Sequence, residues 1–156
     1  MKSNLSFSKA AHAFFATLFM MFSCQVAAQT TEFYNSGKII PPNLPLSDGV
    51  RNGSLFFLSG QVGLAPGAGK LVSGGMKAEA KQVLENIKLI LESRSSGMQD
   101  LIQCTVYLTD MNDWPSFNEI YQNYFKGRYP ARTVVGVGQL PLQAKVELQC
   151  ISAVPG

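Results

Sequence analysis

The chain is 156 residues long, 46% hydrophobic, and carries a formal net charge of +3. That length suits one domain around one hydrophobic core, and so small a charge excludes a basic platform for nucleic acid. The single histidine, His12, leaves little scope for histidine metal ligands or for Ser-His and Cys-His catalysis.

Residues 1–28 read as a cleavable signal peptide. Lys2 and Lys9 form a basic n-region, Ala10 to Phe22 an apolar run, and Val26-Ala27-Ala28 a small-residue cleavage site. The mature chain is then expected to start at Gln29 and to be exported, to the periplasm or beyond. The apolar run is shorter than the roughly 18–20 residues of a membrane span, which argues against an anchor. Ser23-Cys24 resembles a lipobox, but Met21 and Phe22 fit that pattern poorly. Cleavage removes His12, and loss of Lys2 and Lys9 lowers the net charge from +3 to +1.

Residues 29–37 are polar and aperiodic and are expected to form a flexible tail ahead of a single domain over 38–156. Pro41-Pro42 and Pro45 mark a loop. Leu55-Phe56-Phe57-Leu58 reads as a buried strand that ends at Ser59-Gly60, and Pro66-Gly67-Ala68-Gly69 as a turn. Met76, Ala80, Val83, Leu84, Ile87, Ile90 and Leu91 recur at helical spacing, with Lys77, Lys81, Glu85, Lys88 and Glu92 opposite. Glu85 stands where it can pair with Lys81 and Lys88, and Ser95-Ser96-Gly97 ends the helix. Leu101 to Thr109 alternates as a half-buried strand, and Asp110 to Asp113 reads as a turn or cap. Trp114, Phe117, Ile120, Tyr121, Tyr124 and Phe125 form a second amphipathic helix, with Pro115 in its first turn. Two strands follow, near 132–137 and 144–152, around a turn at Pro141. Cys104 and Cys150 sit on apolar strand faces. Both are read as buried free thiols, with a disulfide as the alternative that export would permit. The pattern is that of an α+β layer, with both helices on one face of a sheet.

Two charges stand out on the last strands. Arg132 follows Pro130 and precedes Val134-Val135, which puts it at the start of a largely buried strand; a permanently charged guanidinium there suits a small carboxylate. Its competing reading is a surface ion pair. Glu147 shares a face with Lys145 and Gln149, and alternation alone makes it solvent-facing. Asn118 sits on the second helix beside the aromatic stripe. Gly63 to Lys70 lacks the spacing and the Ser or Thr of a phosphate-binding loop, and Gly136 and Gly138 lie within a strand rather than in a dinucleotide fingerprint.

Six segments in order and at matching spacing resemble the Rid (YjgF-like) family of reactive-intermediate imine deaminases: Leu58-Ser59-Gly60-Gln61, Asn86-Ile87, Thr105 to Met111, Phe117 to Tyr121, Tyr129-Pro130-Ala131-Arg132-Thr133, and Lys145-Val146-Glu147. The resemblance spans about residues 38 to 153. It implies a chorismate-mutase-like fold and a homotrimer whose sheets form a barrel, with sites in the clefts between subunits. It further implies that Arg132 holds a substrate carboxylate, that Glu147 positions water, and that Asn118 and the Gly60 backbone line the site. The implied reaction is hydrolysis of 2-imino or enamino acids to 2-keto acids and ammonia, with no metal or organic cofactor.

Two positions depart from the family pattern. Leu46 stands where many members carry a tyrosine, so a hydrogen-bonding contact is lost. Val134 stands where relatives often have cysteine, a position expected to act through its backbone. Leu46 and the signal peptide favour an alternative, a non-catalytic trimer that binds small carboxylates or partner proteins. RNA cleavage, attributed to some relatives, is opposed by the near-neutral mature charge. After cleavage no membrane association is expected.

Overall fold

The computed structural model describes residues 29–41 and 43–153. The expected signal peptide, with His12 and Cys24, lies outside the described residues. The described chain runs β1 (Thr31–Tyr34), β2 (Gly49–Asn52), β3 (Leu55–Leu58), β4 (Gln61–Val62), α1 (Gly75–Glu92), β5 (Leu101–Leu108), α2 (Trp114–Tyr121), β6 (Ala131–Gly136) and β7 (Val146–Ala153).

One mixed sheet holds these strands in the order β1-β2-β3-β7-β5-β6, and β4 also pairs with β7. Only β5 and β6 run parallel. They are the pair joined through a helix, α2, and a crossover of that kind is what a parallel pair requires. The sheet therefore has one face covered by α1 and α2, the α+β arrangement expected from the helical and strand periodicities.

The core follows from two spacings. Met76, Ala80, Val83, Leu84, Ile87, Ile90 and Leu91 recur every three or four residues and are all buried. Cys104, Val106 and Leu108 on β5, and Val146, Leu148 and Cys150 on β7, alternate toward them. Asn86, in the middle of this apolar stripe, is only 1% exposed. Its amide donates to the Leu64 carbonyl at 3.0 Å and its Oδ1 accepts from Gln82 at 2.8 Å. The asparagine thus satisfies backbone beside the short β4, which an apolar residue would leave unpaired.

Several expectations are corrected. Residues 29–37 are not a loose tail: Thr31–Tyr34 pairs antiparallel with β2. Arg94 locks it down, bonded to Glu32 at 2.8 Å and stacked over the Tyr34 ring at 5.1 Å. Cys104 and Cys150 are not free thiols but a disulfide. They are register partners on adjacent strands, a juxtaposition that depends on pairing across 46 residues of sequence. β6 is an exposed edge strand rather than a buried one, because among the described residues β5 is its only strand neighbour. Glu85 accepts from Tyr124 Oη at 2.9 Å instead of pairing with its lysines, and the salt bridge of α1 is Lys88–Glu92 at 3.9 Å. The second helix stops at Tyr121, and a tighter turn over Gln122–Tyr124 carries Tyr124.

Candidate active site in two halves

Arg132 projects from β6 onto α2. Its register partner on β5 is Cys104, so both belong to the helix-covered face. Trp114, Asn118 and Tyr121 are four and three residues apart and share one side of α2. The guanidinium carbon lies 4.5 Å from the ring centroids of both Trp114 and Tyr121. One guanidinium nitrogen donates to Asn118 Oδ1 at 2.8 Å. Among the described residues Arg132 forms no salt bridge, so the reading as an ordinary surface ion pair fails. The group opens into a cleft of about 410 Å³ lined by Asn118, Tyr121, Gln122, Tyr129, Pro130 and Arg132. Burial pushes the Tyr121 phenol up to about 12, tempered by the Arg132 charge, so this wall of the cleft is neutral.

Glu147 occupies the other face. It pairs with Tyr107 on β5 and with Val62 on β4. Its cleft, of about 360 Å³, is lined by Gly60, Tyr107, Leu140, Glu147 and Gln149. Glu147 is half-buried rather than freely solvated, and burial raises its carboxyl above the ordinary carboxylate range. Gly60 lies directly beneath the carboxylate: a Cβ there would collide with Glu147 Oε1 and come within 2.9 Å of its Cδ. The absence of a Cβ leaves room for the carboxylate here; an added Cβ would displace the end of the Glu147 side chain.

Arg132 and Glu147 do not meet within one chain. Their β5 partners, Cys104 and Tyr107, are three positions apart, so the two side chains leave opposite faces of the sheet. Three positions are also roughly 10 Å along a strand. One small acid cannot touch both groups in one copy.

The two remaining expected residues, Val134 and Leu46, are not among the residues that line either cleft. Val134, half-buried on β6, is opposite Val106 and belongs with Arg132. Leu46 lines neither cleft, although its loop is tied to the end of β3 by Ser59, whose hydroxyl donates to the Ser47 carbonyl at 2.6 Å. Leu46 is 44% exposed and borders a small cavity with Asn35, Gly37, Ile40 and Pro41. Sequence reasoning treated Trp114 and Tyr121 as core aromatics. Their spacing with Asn118 was the available signal that the stripe presents an edge to Arg132. Gln149 shares the Glu147 face by alternation, whereas Tyr107 and Leu140 carry no such signal. Among the described residues no group of three or more His, Cys, Asp or Glu side chains could hold a metal ion.

A family model described as Endoribonuclease L-PSP matches residues 36–154. The chain belongs to this family, which includes the Rid proteins. A RutC family protein of Pyrococcus horikoshii is 42% identical over 108 residues, covering 69% of this chain and 86% of that protein. A mouse protein named 2-iminobutanoate/2-iminopropanoate deaminase is 43% identical over 108 residues, covering 69% of this chain and 80% of its own length. Among solved structures, RidA from an Antarctic Psychrobacter superposes with a TM-score of 0.74 at 33% identity, covering 79% of this chain and 99% of that one. Within this Rid fold, the two clefts fall at positions that the family segments mark out: Gly60 and Glu147 in one, Asn118 and Arg132 in the other.

Proposed function

We propose that this Rid-family chain is an imine deaminase that hydrolyses 2-imino acids of the 2-iminopropanoate and 2-iminobutanoate type to 2-keto acids and ammonia. The observation that carries the reading is Arg132: a guanidinium fixed by Asn118 and two rings, with no carboxylate partner among the described residues and an open cleft before it. The names of relatives near 40% identity support the same chemistry.

In this reading the working unit is a homotrimer, and each site joins the Arg132 half of one copy to the Glu147 half of the next. The opposed faces of the two residues support it, as does the uncovered face of the sheet. Phe33, Val50, Phe57 and Ile151 form one cross-strand row there. Phe33 is 75% and Phe57 41% exposed, a patch that calls for a partner.

Arg132 holds the substrate carboxylate with two parallel N–H donors and fixes the imine carbon over the neighbouring Glu147. Val134 contributes backbone beside it. Water adds its oxygen to the carbon of the protonated C=N. Glu147, with its raised proton affinity, takes the proton that water loses and returns it to nitrogen. The carbinolamine collapses: its hydroxyl proton passes to Glu147 as the C–N bond breaks and the C=O forms, ammonia departs, and Glu147 then releases that proton to ammonia or solvent. A protonated imine is electrophile enough for these steps without a cofactor.

An assay that generates 2-iminobutanoate in situ tests the reading. The protein should accelerate release of 2-ketobutyrate, and Arg132→Ala should abolish the acceleration. No acceleration with any of several 2-imino acids would refute it. The apolar Leu46 favours one other reading, a carboxylate binder without turnover; tight 2-keto acid binding by calorimetry with no acceleration would select that instead.

Export belongs to the same proposal. The Cys104–Cys150 disulfide supports an oxidising compartment. The exported protein should begin at Gln29 by mass spectrometry; an intact Met1 with reduced cysteines in the cytoplasm would refute export.

A further inference from the structure

We propose that Trp114 is the positioning residue for the carboxylate anchor, acting through its indole on the Arg132 guanidinium. The inference rests on the carboxylate-binding role of Arg132 given above and adds what makes that role possible. Arg132 stands on an exposed edge strand, where a long side chain has many open rotamers. A single hydrogen bond to Asn118 fixes one nitrogen but not the plane of the group.

The rings supply the plane. Trp114 and Tyr121 each lie 4.5 Å from the guanidinium carbon, and indole is the strongest aromatic partner for a cation. Trp114 is itself held: it stacks on Phe117 with an interplanar angle of 8° and a centroid distance of 6.1 Å. Phe117 is fully buried, at 0% exposure. The chain of support runs from the core through Phe117 to Trp114, then to Arg132, then to the ligand. Asn118 rises from the same side of α2, so one rigid helix sets both the plane and the rotation of the guanidinium.

Trp114 is the only tryptophan in the chain, so tryptophan emission comes from this position alone. Titration of the unmodified protein with 2-ketobutyrate, with saturation confirmed by calorimetry, should change the indole fluorescence, and Arg132→Ala should remove the response. Trp114→Leu should raise the KM for 2-imino acids about tenfold with a much smaller change in kcat. Trp114→Phe, which keeps a ring face, should recover most of that loss.

An unchanged KM in Trp114→Leu, while Arg132→Ala loses 2-keto acid binding, would overturn the Trp114 role and leave the anchor standing. A raised KM that Trp114→Phe does not rescue would show packing alone and also overturn it. Normal 2-keto acid binding by Arg132→Ala would refute both. Should Trp114→Leu fail to fold, the unmodified protein decides, since a silent indole at saturation contradicts the contact.

Discussion

Glu147 is held half-buried over a glycine, and two predictions follow at this scale. Burial raises its pKa, so the folded chain binds that proton more tightly than the unfolded chain does. The resulting stability is fully present below the ordinary carboxylate pKa of about 4.3 and is lost as the pH climbs through the raised folded value. Glu147→Gln should therefore raise the melting temperature at neutral pH and leave it unchanged in acid below about pH 4, while cutting the deamination rate by about 100-fold or more. A melting temperature that falls at neutral pH would contradict the burial argument. Gly60→Ala should also lower the rate with the fold retained, because its Cβ would occupy the place of the Glu147 carboxylate; circular dichroism and the same assay check both parts. In the sequence, Arg132 and Glu147 were visible as lone charges on apolar strands. That they leave opposite faces was not, since it depends on how β6 and β7 register against β5.

Elements were legible where one period ran long enough. The helical stripe from Met76 to Leu91 and the alternation of β5 emerged as expected because burial enforces each spacing over several repeats. Short pieces escaped. β2 is only four residues long, although Gly53-Ser54, the two residues between Asn52 and Leu55, is a hairpin signal and Gly53 takes a positive φ of 59°. β1 has no apolar alternation because it is an edge strand with most side chains in solvent; its order comes from the distant Arg94. The disulfide likewise joins β5 to β7 across long-range register. The loop closed by Cys104 and Cys150 spans 46 residues, for which chain entropy gives about 4 kcal/mol of stabilisation. Reduction, or the double substitution of Cys104 and Cys150 by serine, should lower the chemical-denaturation midpoint accordingly; a midpoint unchanged by reductant would contradict a formed disulfide.

At the scale of the whole molecule, one copy carries two separate clefts, one with Arg132 and one with Glu147, and an uncovered sheet face. Phe33 on the edge strand β1 and Phe57 on β3 are both exposed on that face, which is unusual for a chain that works alone. Phe57→Glu should therefore shift the protein from trimer to monomer in light scattering, and its deamination rate should fall with the trimer even though Arg132 and Glu147 remain. Closed symmetric assembly gives every copy both a donating and a receiving side. On the proposed trimeric reading, each half of the site is completed by the opposite half of another copy. The measurement that decides this is complementation. Arg132→Ala and Glu147→Gln proteins, each inactive, are unfolded, mixed in equal amounts and refolded together. If each site takes Arg132 from one copy and Glu147 from its neighbour, random mixing restores about a quarter of the parental rate. If both residues act within one chain, the mixture stays as inactive as its components.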